Sequence, residues 1–130
     1  MKSRLVRFLP GFLFFSWLTL IPVFSMIPGS RTVDFILGDG SGIRWDYIEH
    51  SLVFGILAFL FFLWRKSKTR QPRGNFFLFL GTGLVYAILT EVLQIAVPGR
   101  TFNPLDALFN AAGFLVVLLA LLYIQPDSVR

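Results

Sequence analysis

The residues able to do chemistry fall into three short groups. His50, the single histidine of the chain, has Asp46 four residues before it and Glu49 directly before it. Glu91 is followed three residues later by Gln94, and Asp106 four residues later by Asn110, with Arg100 in the link between. Offsets of three and four put both members of a pair on one helix face. An imidazole can serve as general base or ligand, with a carboxyl group as its partner or as the acid. Carboxamides can orient a ligand or stabilise developing charge, and a guanidinium fork suits a phosphate or carboxylate. His50 and Glu91 are therefore the catalytic candidates. Gln94, Arg100, Asp106 and Asn110 are the candidate ligand-binding residues.

Other chemistries find less support. The chain contains no cysteine, so it has neither a disulfide framework nor a thiolate nucleophile. Ser51, Thr90 and Thr101 lack a recognisable activating base. A lone histidine without cysteine is a poor zinc set, so no metal or other cofactor is expected. A carboxylate-bound Mg²⁺ or Mn²⁺ is the alternative left open.

The elements that position these residues follow from hydropathy. The chain has 130 residues, 55% of them hydrophobic and only 15% charged, with 16 phenylalanines. A soluble domain of this size could not bury so much apolar side chain, whereas a bilayer accepts it. Four apolar stretches, Phe8 to Ile27, Tyr47 to Trp64, Phe76 to Val97 and Leu105 to Ile124, approach the ~20 residues that cross a hydrocarbon core. Lipid cannot satisfy open backbone groups, and period-two alternation is absent, so the prediction is all-α: a four-transmembrane-helix bundle in one domain, residues 1–130.

Charge predicts the orientation. Lys2, Arg4, Arg7, Arg65, Lys66, Lys68, Arg70, Arg73 and Arg130 fall on one side of such a bundle, and Arg31, Arg44 and Arg100 on the other. The positive-inside bias then puts both termini in the cytoplasm. The same bias accounts for the net charge of +5, which in a soluble domain would suggest nucleic acid; no nucleic-acid partner is expected here. The first stretch also imitates a secretory signal, with Val23-Phe24-Ser25 as a cleavage site. Its length and its Trp17 and Pro22 favour a retained helix.

On this topology every polar candidate gathers near the outer face. Part of the pattern has a plain structural reading. Asp46 can cap the second helix with Glu49 closing a capping box, and Asn103 can cap the fourth, with Pro104 first in the helix and Asp106 third. Trp45, Tyr47 and Trp64 read as interfacial anchors. Capping does not account for Glu91, which sits about two turns inside the third helix, where an ionised acid costs up to ~2.5–3.5 kcal/mol. It needs a partner or a proton, and His50 and Arg100 are the available cations. Gly83, Ala87 and Glu91 share a face, as do Asn110 and Gly113, and small residues on those faces let helices approach in lipid.

The ordered spacing resembles a known family. Asp46-Tyr-Ile-Glu-His50, Thr90-Glu91-Val-Leu-Gln94, Pro98-Gly99-Arg100 and Asp106-x-x-x-Asn110-x-x-Gly113 are similar to the D-x-x-x-H, T-E-x-x-Q, P-G-R and D-x-x-x-N-x-x-G run of VanZ-like proteins, the family of the teicoplanin-resistance protein. The resemblance is strongest over residues 46–116. Phe54 stands where the family often has tyrosine, and Asn103 where it often has an acid. The resemblance implies a bacterial cytoplasmic membrane and, in some members, altered susceptibility to glycopeptide antibiotics. The functional expectation is a multi-pass membrane protein acting on or binding a cell-envelope component at the outer leaflet, such as a lipid-linked or phosphate-bearing glycopolymer precursor. The alternative is a non-enzymatic accessory or scaffold protein whose polar cluster is interhelical glue. Transport ranks last, because the inner half of the bundle offers a proton no polar path.

Overall fold

The computed structural model describes residues 2–26, 45–67 and 74–124, with side chains from 8, 47 and 77 onward in the three stretches. The described residues form four helices: α1 (Lys2–Ser25), α2 (Trp45–Lys66), α3 (Gly74–Gln94) and α4 (Pro104–Ile124). Each is long and apolar enough to cross a membrane, and no strand occurs among the described residues. The four-helix, all-α prediction is borne out. α1 contacts α2 and α3, and α4 contacts α2 and α3, so the helices stand around the bundle in the order α1, α2, α4, α3.

The helix ends follow local chemistry. α3 stops at Gln94, three residues short of the predicted Val97, so Glu91 stands in the last turn of the helix and not two turns inside it. Pro98 is the reason: its ring would clash with the Gln94 carbonyl, and the residue before a proline avoids helical backbone. The chain tightens into successive i→i−3 hydrogen bonds from Ile95, Ala96 and Val97, and Arg100 N–H then closes a turn onto the Val97 carbonyl at 3.1 Å. Gly99 has a φ of 82°, so Val97-Pro98-Gly99-Arg100 has the proline-glycine pattern of a type II turn. Asn103 caps α4 as predicted, its Oδ1 accepting the Leu105 N–H at 3.1 Å.

One proline does structural work across helices. Pro22 has no N–H to give the Leu18 carbonyl four residues back, and the Tyr86 hydroxyl of α3 donates to that carbonyl instead. Trp17 Nε1 donates to the Val53 carbonyl of α2 at 3.0 Å. These two bonds tie α1 to both of its neighbours.

Close approach fixes the α2–α4 pair. Gly113 lies against the Ser51 backbone, so that any side chain there would collide with it, and Ser51 Oγ donates to the Phe109 carbonyl at 3.2 Å. Phe114 packs its ring over Gly83 of α3. The far end of the bundle is filled with aromatic rings. Phe61 and Phe79 stack with centroids 3.3 Å apart, and Phe14 stacks on Trp64 at 5.2 Å. Trp64 is thus packed among helices and not only an interfacial anchor, while Tyr47 stacks on Phe109 at 4.6 Å and joins α2 to α4. Arg65, within the basic run, is buried in the last turn of α2, where the negative end of the helix dipole favours a cation.

Candidate functional site

The aromatic packing leaves the other end of the bundle open. There a cavity of ≈ 670 Å³ is enclosed by residues of all four helices and by the turn after α3, within the size range of small-molecule sites. Two unlike walls make it. Trp17, Leu20, Ile21 and Phe24 of α1 form an apolar side. The facing side carries His50 from α2, Thr90, Glu91 and Gln94 from α3, Asp106 and Asn110 from α4, and Arg100 from the turn.

Folding brings six of the eight sequence-derived candidates together. His50 Nδ1 lies 2.9 Å from Asn110 Oδ1, and Asn110 Nδ2 donates to the Ala87 carbonyl at 3.3 Å. The amide is thereby oriented with its oxygen toward the imidazole, so His50 Nδ1 is the donor of that pair. His50 Nε2 then faces Asp106 Oδ2 at 3.6 Å, and His50 Nδ1 is 3.8 Å from Glu91 Oε1. Glu91 Oε1 accepts from Gln94 Nε2 at 2.8 Å. Gln94 Oε1 in turn accepts from Arg100 Nη1 at 2.7 Å. The type II turn aims Arg100 back at its own helix, which is how a link residue joins the cluster.

Burial sharpens the arrangement. Glu91 is only 1% exposed, Asn110 likewise, and Gln94 is 6% exposed. Around the buried Glu91 carboxyl stand His50, Asp106, Arg100 and the backbone N–H of Asn103. Glu91 Oε2 and Asp106 Oδ1 are buried and make no hydrogen bond of good geometry. His50, by contrast, is a quarter exposed toward the cavity. One ligand atom from each of His50, Glu91 and Asp106 lies within 4.8 Å of the others, a spacing able to hold a metal ion.

The remaining candidates divide. Glu49 is exposed at the cavity rim. Asp46 stands in the first turn of α2, and its side chain lies outside the described residues. Asp106 is third in α4 as expected, but its carboxylate faces His50 instead of serving only the helix end. The shared faces point inward as expected: Gly83, Ala87, Glu91, Asn110 and Gly113 are all buried. Sequence reasoning missed the α1 wall. Trp17 and Phe24 look like ordinary apolar residues of a spanning segment, and no spacing rule says which helix an apolar face will meet.

Comparison with known proteins gives one finding. A family model described as VanZ/LLP1 matches residues 6–125, nearly the whole chain and all four helices. No curated protein and no solved structure gives a significant match.

Proposed function

From the VanZ/LLP1 family, to which this chain belongs, we infer that it binds an amphiphilic component of the bacterial cell envelope in the α1–α4 cavity. The observation that carries this reading is the two-walled cavity: an apolar side from α1 facing a polar side that ends at Arg100. Such a site suits a molecule with a hydrocarbon part and a polar, phosphate-bearing or carboxylate head. The apolar part gains ~25 cal/mol per Å² of surface removed from water, and the Arg100 guanidinium, seated on Gln94 at the cavity wall, supplies positive charge for the head. With the termini in the cytoplasm, as charge predicts, the cavity opens toward the outer leaflet of the cytoplasmic membrane, where lipid-linked envelope precursors reside. A link to glycopeptide susceptibility follows from the family resemblance alone.

If the bound component is also altered, His50 is the base and Glu91 its partner or the acid. The Asn110 carboxamide holds the imidazole at Nδ1, which leaves Nε2 to meet a ligand. Gln94, held by Arg100, orients Glu91.

The test is the lipid complement of the purified protein. Mass spectrometry of lipids co-purifying with wild type is expected to find an anionic, polyisoprenyl- or acyl-linked species enriched over bulk membrane and depleted in Arg100→Ala. Identical lipid profiles for the two proteins would defeat the reading.

A further inference from the structure

We propose that His50, Glu91 and Asp106 together bind a divalent cation of the Mn²⁺ class. The site goes beyond the lipid reading and stands without it, because it rests on the contacts of three side chains from α2, α3 and α4; it makes His50 Nε2 a metal ligand in place of a base.

The first argument is the direction of lone pairs. Asn110 accepts at Oδ1, so His50 presents N–H at Nδ1 and, as a neutral imidazole, a lone pair at Nε2. That lone pair faces a carboxylate oxygen, Asp106 Oδ2, at 3.6 Å. Two acceptors facing each other need something positive between them, a proton on the imidazole or a metal ion. The separation is too long for a hydrogen bond, yet it matches the edge between two ligands that each bond an ion at about 2.0–2.3 Å.

The second argument is the unpartnered oxygen. Gln94 occupies Glu91 Oε1, while Glu91 Oε2, on a side chain 1% exposed, makes no hydrogen bond of good geometry, the Asn103 backbone N–H being the further donor directed at the carboxyl group. Asp106 Oδ1 makes no hydrogen bond either. Buried carboxylate oxygens are normally satisfied by donors or cations. Among the described residues lining the cavity, Glu49, Glu91 and Asp106 bring three carboxyl groups, and Arg100 is the single arginine or lysine. A divalent ion would balance that excess.

The third argument is the support around the ligands. A metal-bound histidine characteristically donates its other ring N–H to a carbonyl or carboxylate, and its carboxylate co-ligands are themselves hydrogen-bonded. His50 gives Nδ1–H to Asn110, and Glu91 is held by Gln94, which Arg100 holds in turn. The donor set selects the ion. Two carboxylates without sulfur suit Mg²⁺, Ca²⁺ or Mn²⁺, and the added imidazole favours Mn²⁺ over the purely oxygen-seeking ions. Three protein ligands leave coordination positions open toward the cavity, where a phosphate oxygen could complete the shell.

The full-length protein in nanodiscs, stripped with EDTA and titrated with MnCl₂, is expected to bind one Mn²⁺ per chain by EPR. Glu91→Gln and Asp106→Asn, nearly isosteric, are each expected to weaken binding by more than tenfold, and Asn110→Ala by about 10–100-fold. Pulsed EPR of the wild-type complex gives a readout that needs no variant: nitrogen coupling from one imidazole is expected. Absence of Mn²⁺ binding, wild-type affinity in both carboxylate variants, or a bound ion without nitrogen coupling would each overturn the proposal. Arg100→Ala separates it from the lipid reading, since this variant keeps all three ligands and is expected to lose the lipid while still binding one Mn²⁺ per chain, with affinity reduced less than in the carboxylate variants. Lipid retained by a wild-type protein that takes up no Mn²⁺ would remove the cation and leave the lipid reading standing.

Discussion

At the scale of single residues, the question is whether the polar cluster serves chemistry or only holds helices together. Interhelical hydrogen bonds in lipid contribute about 0.6 kcal/mol on average and at most ~2 kcal/mol. If Glu91 and His50 were glue, removing their polar groups would lower folded abundance and activity in step. The cavity face of His50 argues otherwise, because a side chain a quarter exposed is open to solvent or a ligand on that face. His50→Ala and Glu91→Gln are therefore expected to abolish the cellular phenotype while membrane abundance, read by immunoblot, stays near wild type. Loss of activity strictly proportional to abundance in both variants would favour the scaffold role. Asn110→Ala differs, since it removes both the His50 contact and the bond to the Ala87 carbonyl. It is expected to cost about 1–2 kcal/mol in an SDS-unfolding titration as well as activity.

Helices and turns decide whether those residues can meet. Gly113 sets the separation of α2 and α4, because a Cβ at that position would meet the Ser51 backbone, which cannot swing away like a side chain. Gly113→Ala is expected to cost about 1–3 kcal/mol by overpacking, and Gly113→Leu to prevent accumulation of the folded protein, both checked by size-exclusion of the detergent-solubilised chain. α1 is fixed differently. Its Pro22 withholds a donor from the Leu18 carbonyl, which Tyr86 supplies. Tyr86→Phe should destabilise the bundle by about 1 kcal/mol. Pro22→Ala provides a backbone N–H in its place, so the double variant is expected to recover part of that loss. Strictly additive effects in the double-mutant cycle would show that the two groups are not coupled. Gly99 acts on the site through the turn: at a φ of 82°, Gly99→Ala is strained by roughly 1–2 kcal/mol. It is expected to weaken ligand retention in the way Arg100→Ala does, measured by the same lipid analysis.

The whole molecule is polar at one end and aromatic at the other. Core rings such as Phe61, Phe79 and Phe114 fill one half, where an apolar groove runs along α1 beside Trp64, and the half containing His50 and Glu91 holds the polar cavity. The polar cavity lies at one end of the bundle, so orientation in the membrane decides which leaflet that cavity faces. The absence of cysteine makes this directly measurable. A single cysteine introduced at the exposed Thr101 is expected to react with a membrane-impermeant maleimide in intact cells, and one introduced at Ser67 only after permeabilisation. The reverse pattern would put the cavity at the cytoplasmic leaflet and end the outer-envelope reading.

Local chemistry dictated much of this. Apolar run length fixed four spanning helices, because backbone polar groups in lipid must be satisfied within the segment. Asn103 announced the start of α4 because its side chain can accept an orphan N–H. Residues three and four apart had to share a face, so Glu91 with Gln94 and Asp106 with Asn110 were legible as pairs. Which pairs would meet was not. The 2.9 Å contact of His50 with Asn110, 60 residues apart, depends on how closely α2 packs on α4. The approach of Asp106 to His50 depends on it too, and with that approach comes the three-residue cluster. Nor could any spacing rule reveal that apolar residues of α1 close the cavity. Periodicity encodes which face of a helix is buried, while the partner of that face is chosen only when all four helices pack together, since shape complementarity is a property of surfaces in contact.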